Sequence, residues 1–300
     1  MYAGGSHGGY GGKRDSGQSS GKLYGSLYEP VDLGAGGGCN GVGGNGGGAI
    51  RLEAEELVLD GILSADGLSG KESTGGAGGS LWVKVGLLRG SGSLQANGGI
   101  GKCLVDYGGF GGGGGRVALY YKEASSFDLN RVTAYGGNSP CNNPGEVYRN
   151  GGAGTVYLKA KDQEQGDLVL DNLNRPTSPG STGLPAVGVG FSTALEASAL
   201  TNSAAPFVPG ALLGIRLNPY RSGTVTFPII GNTRDRIFTD PASGEMTQVA
   251  QTGHEYIGEH LFRNVTVRGQ SHLLTPDRIV AAGAVTVEAG STLKSENLEK

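Results

Sequence analysis

Four segments of the chain align without gaps: GGGAIRLEA (46–54), AGGSLWVKV (77–85), GGGRVALYY (113–121) and GAGTVYLKA (152–160). Their equivalent apolar positions are Ile50, Leu81, Val117 and Val156, spaced 31, 36 and 39 residues apart. Self-similarity at this period marks a repeat architecture, in which one unit cannot bury its apolar face alone and stacked units can. Side chains alternate within each segment, as in strands. Ile50/Leu52/Ala54, Leu81/Val83/Val85, Val117/Leu119/Tyr121 and Val156/Leu158/Ala160 share one face. The other face carries the columns Arg51/Trp82/Ala118/Tyr157 and Glu53/Lys84/Tyr120/Lys159. That face is mixed and mostly polar, and is expected to meet solvent.

A second short strand follows in each unit: LVLDGILSADG (57–67), GSGSLQANGG (90–99), LNRVTAYGG (129–137) and DLVLDN (167–172). Three of them end in Asp-Gly, Asn-Gly-Gly or Tyr-Gly-Gly, read as turns that need positive φ. Units stacked ~4.7–4.9 Å apart predict an all-β fold. The expected architecture is a parallel β-helix (solenoid) with glycine-rich loops, right-handed by the chirality of parallel crossovers. Glycine makes up 60 of the 300 residues, and each costs about 1 kcal/mol relative to alanine inside a helix. The runs at 43–48 and 111–115 are read as turns and loops at a coil corner. Stacked polyglycine helices of polyproline-II type and disorder are the alternatives.

Composition shifts near residue 173. Forty-six glycines lie before it and 14 after, while eight of the 12 prolines fall between Pro176 and Pro241. Four regions follow: a glycine-rich first segment (1–45), the repeats (46–172), a proline-containing β-rich insertion (173–252) and returning coils (253–300). The N-terminus has no apolar stretch of secretory type. The ending VEAGSTL reads as another turn and strand rather than a cap, so the array is expected to continue beyond this sequence.

The units GGGAIRLEAEELVLDGILSADG, GGAGGSLWVKV…GSGSLQANGG, GGGGGRVALYY…VTAYGG and GGAGTVYLKA…GDLVLDN resemble the glycine-rich β-solenoid repeats of very large bacterial surface and secreted proteins. YIGEHLFRNVTVRGQSHL…VTVEAGSTL is similar to the strand-turn units found there. The resemblance spans most of 34–172 and 253–293. It implies an extracellular or cell-surface scaffold or adhesin, and it carries no catalytic residues.

Chemistry is sparse. A net charge of −3 gives no basic footprint for nucleic acid, and no apolar run reaches the ~18–20 residues of a membrane span. Cys39, Cys103 and Cys141 form no CxxC pair, which argues against zinc. Cys103 and Cys141 each fall four residues after a turn glycine (Gly99, Gly137), at matching loop positions of adjacent units. A Cys103–Cys141 disulfide is expected, with Cys39 left out; three unpaired thiols are the alternative. HEYIGEH holds His254, Glu255, Glu259 and His260 but is not HExxH, so solvated or turn residues are expected rather than a metal site. The repeats lack the aspartate of the calcium-binding nonapeptide GGxGxDxUx, having Ser80 and Val156 there. No cofactor is expected beyond sporadic calcium at Asp60, Asp66, Asn97 and Asp171. SGQSSGK, LSGKES and GGIGKC are incomplete phosphate-loop matches. The first strands' outward columns hold one acid among eight positions, and Asp240 and Glu245 have no fixed geometry. A polysaccharide lyase or hydrolase is therefore the least favoured reading.

Trp82, Tyr120 and Tyr157 lie on the outward face of one expected sheet. They are candidates for stacking on sugar rings, or else they cover the sheet and meet the insertion. The Asn264-Val265-Thr266 sequon falls in a strand and is read as strand composition. The expected function is a non-enzymatic structural or adhesive segment, extracellular or on the cell surface. A glycan-binding module is the alternative; surface glycans or neighbouring repeats are the expected partners.

Overall fold

A computed structural model of the chain describes residues 3–15, 20–38, 43–71, 73–103, 109–141 and 146–295. The repeat segments form strands Ala49–Val58, Ser80–Arg89, Arg116–Ser126 and Thr155–Ala160, paired in parallel in that order. Ile50, Leu81, Val117 and Val156 are register partners, so the columns read from the sequence are columns of the sheet. Leu81, Val83, Val117 and Leu119 are fully buried and pack with Leu94 and Val132 from a small parallel sheet of Ile62–Ser64, Ser93–Gln95 and Val132–Thr133. Each such side chain contributes about 1.5–3 kcal/mol on burial, and together they make one core.

The expected closed right-handed β-helix does not form. The main sheet has seven strands and is mixed. Its fourth repeat strand ends early, at Ala160, and the polar run 161–166 turns the chain back, with Gln163 N–H donating to Ala160 O. Asp167–Asp171 therefore lies antiparallel beside Thr155–Ala160 instead of extending the small sheet. Val265–Arg268 and Val285–Val287 complete the main sheet in parallel with Asp167–Asp171. Further on, Ala194–Leu195, Ala199–Thr201, Arg236–Thr239, Phe227–Asn232, Arg216–Asn218, Glu255–Phe262 and Val189–Phe191 form a largely antiparallel sheet. Parallel pairing resumes near the C-terminus, where His272–Thr275 pairs with Thr292–Ser295 and Glu255–Phe262 with Arg278–Ala281.

The glycine runs are neither corner loops nor disordered. Gly111 and Gly114 donate to Arg149 O and Gly152 O, Gly112 and Gly115 to Gly99 O and Ala96 O, and Gly113 to Gly5 O. Residues three apart thus bond the same neighbouring segment. The run 75–79 behaves alike: Gly75 and Gly78 reach Phe110 O and Gly113 O, Gly76 and Gly79 reach Leu68 O and Ala65 O, and Ala77 reaches Ala35 O. Three-residue periodicity with no hydrogen bond inside the segment is the geometry of polyproline II. The segments around 4–12, 34–37, 44–47, 65–70, 75–79, 97–102, 110–115, 134–138 and 149–154 are cross-bonded into a lattice, which meets the need of buried backbone groups for partners. Neither Gly67, Gly98, Gly99, Gly136 nor Gly137 has positive φ. Those glycines are required for space: a Cβ on each would overlap a neighbouring carbonyl oxygen.

Cys103 and Cys141 are joined by a disulfide with Cα atoms 5.5 Å apart, beside the Gly101 N–H to Asn138 O bond. Cys39 lies outside the described residues. Closing a 38-residue interval should stabilise the fold by about 2–4 kcal/mol. The Cys103→Ser/Cys141→Ser double variant should show that loss in urea unfolding, and an unchanged midpoint would contradict it.

Candidate functional site

The two outward columns of the main sheet meet different fates. Register pairs Arg51, Trp82, Ala118 and Tyr157 in one row and Glu53, Lys84, Tyr120 and Lys159 in the next. The first row is covered from Trp82 to Tyr157, while Arg51 at its edge is exposed. Trp82 and Tyr157 are 6% and 3% exposed and share a core with Leu27, Tyr28, Phe227, Tyr256 and Phe262. Tyr28 meets Tyr157 edge-on at 4.9 Å, and the Tyr157 hydroxyl accepts the Gly166 N–H. Arg51 and Lys84 stand 4.3 and 4.5 Å from the Trp82 ring centroid. The expected exposed strip of Trp82, Tyr120 and Tyr157 is therefore not a surface. Residues 23–28 and the second half of the chain bury two of its three rings, because those rings are the largest apolar area the sheet offers.

Tyr120 alone lines an open cleft, of about 660 Å³, on the sheet face. Its hydroxyl donates to Tyr28 O at 2.8 Å, which fixes the ring. Burial, then the neighbouring Tyr157, holds its phenol well above the usual range, so it acts as a neutral surface and hydrogen-bonding group. Around it stand Lys84, Lys122, Lys159 and Lys161, facing Glu29, Glu53 and Glu55. Lys122 pairs with Glu55 at 3.7 Å; Lys159 and Lys161 make no ion pair among the described residues. The row Glu53–Lys84–Tyr120–Lys159 spans about 14 Å at the spacing of parallel strands. Donors, acceptors and one aromatic ring along such a row suit a hydroxyl-rich extended ligand. The signal for this cleft was in the sequence: lysines recur at 84, 122 and 159 on the repeat strands and at 161 just past the end of the fourth.

The other candidates disperse. Asp60 Oδ1 accepts Ser91 N–H, Asp66 Oδ1 accepts Asn97 N–H, Asn97 Oδ1 accepts Tyr135 N–H and Asp171 Oδ1 accepts Leu173 N–H. They tie backbone to backbone, mostly across successive units, rather than converge, and no group of three metal-ligating residues occurs among the described residues. His254 lies against Tyr220 with ring centroids 4.4 Å apart and planes tilted by 31°, whereas His260 is fully buried and stacks on Phe262. Asp240 caps a short 3₁₀ turn through Ala242 N–H, and Glu245 contacts Gln248. The Asn264 amide is held between Asp167 and Ala284. Among the described residues no helix is long and apolar enough to cross a membrane. No protein-family model matches this chain, no curated protein matches it, and no solved structure matches its fold.

Proposed function

We propose that the protein is a non-enzymatic structural and adhesive segment working outside the cell or on its surface. The observation that carries this reading is the cross-bonded glycine lattice beside a stacked parallel sheet. Many backbone segments are fixed at once, with few side chains spent on anything but packing. Such a body resists local opening, which suits a scaffold exposed to proteases and shear. The Cys103–Cys141 disulfide supports an oxidising compartment.

The contact surface is the Tyr120 cleft, and its lysines and glutamates favour a glycan over an apolar ligand. Beads coated with the protein should be retained on immobilised polysaccharide. The Lys159→Glu/Lys161→Glu variant should lose retention by about tenfold, or about 1.4 kcal/mol per site, without change in its melting temperature. Equal retention by both proteins would remove the cleft from the account. Release of reducing ends or unsaturated sugars from the polymer would overturn the non-enzymatic reading.

A further inference from the structure

The cleft beside Tyr120 is lopsided in charge. Glu53 and Glu55 stand on its first strand, Ala49–Val58. Lys122, Lys159 and Lys161 stand at the opposite end, on Arg116–Ser126, on Thr155–Ala160 and just past it. Tyr121 and Ala160 are register partners, and the Lys161 N–H donates to Tyr121 O. One residue further on, Lys122 and Lys161 are therefore neighbours on chains about 4.8 Å apart, and Lys159 lies roughly 6.6 Å back along its own strand. All three line the cleft and none is buried. Like charges side by side on a sheet repel.

Little within the protein relieves this repulsion. Glu55 reaches Lys122 at 3.7 Å by passing over Gly86, where a Cβ would come within 3.3 Å of Glu55 Oε2. The two side chains are 54% and 95% exposed, and so open a pair contributes little. Lys159 and Lys161 have no carboxylate within 4 Å among the described residues. Asp162 acts on Tyr121 and Arg263 and does not line the cleft. Lys84 is occupied elsewhere, its Nζ 4.5 Å from the Trp82 ring centroid and 5.7 Å from that of Tyr120. An anion from outside would meet three open ammonium groups through charge-assisted bonds, about twice as strong as neutral ones. At the other end the glutamates accept hydroxyl protons and repel further negative charge. A chain charged at every unit, such as a nucleic acid, is thus disfavoured, and one fixed ring is not the series of rings on which single strands stack.

We propose that the cleft takes an acidic polysaccharide, with a carboxylate or sulfate on Lys122, Lys159 and Lys161, a sugar ring against Tyr120 and uncharged hydroxyls at Glu53 and Glu55. This rests on the glycan reading of the cleft and adds the class of sugar. The test is retention of the full chain on immobilised hyaluronan, dextran sulfate, neutral dextran and oligothymidylate. At low salt at least one acidic polysaccharide should hold the protein about tenfold more tightly than dextran, and which one does so separates carboxylate from sulfate. That ratio should fall towards one at high salt, because exposed charges are screened. Lys159→Gln/Lys161→Gln should bring it near one at low salt as well, and Lys159→Arg/Lys161→Arg, which keeps the charge, should preserve it. Equal retention on dextran and the acidic polymers would overturn the inference and leave the glycan reading standing, whereas retention on none of the polysaccharides would remove both. Tighter retention on oligothymidylate than on either acidic polysaccharide would replace the sugar with a nucleic acid. A preference that survives Lys159→Gln/Lys161→Gln would move the contact away from this cleft and overturn the inference.

Discussion

Replacing Gly112 with alanine should destabilise the protein by more than about 3 kcal/mol, whereas Gly61→Ala should change stability by no more than about 0.5 kcal/mol. The two glycines differ in surroundings. A Cβ on Gly112 would overlap the carbonyl oxygen of Gly76, the neighbouring run in the lattice, and nothing lies within 4 Å of a Cβ on Gly61. The obstacle at Gly112 is backbone, which cannot rotate aside as a side chain can. Moving that carbonyl breaks the Gly99 N–H bond to Gly76 O, and moving Gly112 instead breaks its N–H bond to Gly99 O and the Gly137 N–H bond to Gly112 O. A corner loop would accept alanine at both positions. Urea unfolding of the two variants separates the cases, and a mild Gly112→Ala would mean that the runs do not pack backbone to backbone.

Acidification from pH 7 to pH 4 should cost roughly 3–4 kcal/mol of stability through three buried groups. Burial, then the charge of Arg116, pushes His7 down to about 3. Burial is also the first cause that lowers His260 to about 4, with Arg116 again contributing. In the unfolded chain both imidazoles take up a proton near pH 6.5. The unfolded state therefore binds more protons below that pH, and stability present above it is lost as pH falls. Asp277 opposes this. Burial raises it to about 6, against the N–H groups of Val187, Gly188 and Gly258, so between its ordinary value and about 6 the folded state binds the extra proton. One carboxyl offsets only one of the two histidines. His260 Nε2 stands 3.7 Å from Asp277 Oδ2, but a neutral imidazole makes this a polar contact rather than an ion pair. His260→Gln should flatten the profile between pH 6 and 4. A melting temperature that holds steady or rises on acidification would contradict the assignment.

Alternation and in-register apolar positions made the repeat strands legible, down to the residue pairs Leu81–Val117 and Lys84–Tyr120. The matched spacing of Cys103 and Cys141 from Gly99 and Gly137 located the disulfide. Strand alternation says which side chains share a face and nothing about what covers it, which is why Trp82 and Tyr157 looked exposed. A glycine run carries no side-chain pattern, so loop, lattice and disorder read alike until hydrogen-bond partners are known. The turn-back after Ala160 had a sign in KDQEQG, a polar run where the longer repeats continue as strand. The burial of Arg116 also had one. It is the only charged residue in the row Ala49–Ser80–Arg116–Thr155, at a position otherwise filled by small residues.

The ordered lattice is the central claim, and hydrogen exchange of the glycine amides tests it most directly. Gly111 to Gly115 should exchange as slowly as Val117 and Leu119 in the adjoining strand, because each of the five amides is bonded to a neighbouring segment. Slow exchange of that strand together with fast exchange of the five glycines would contradict the lattice, and with it the rigidity on which the scaffold reading rests.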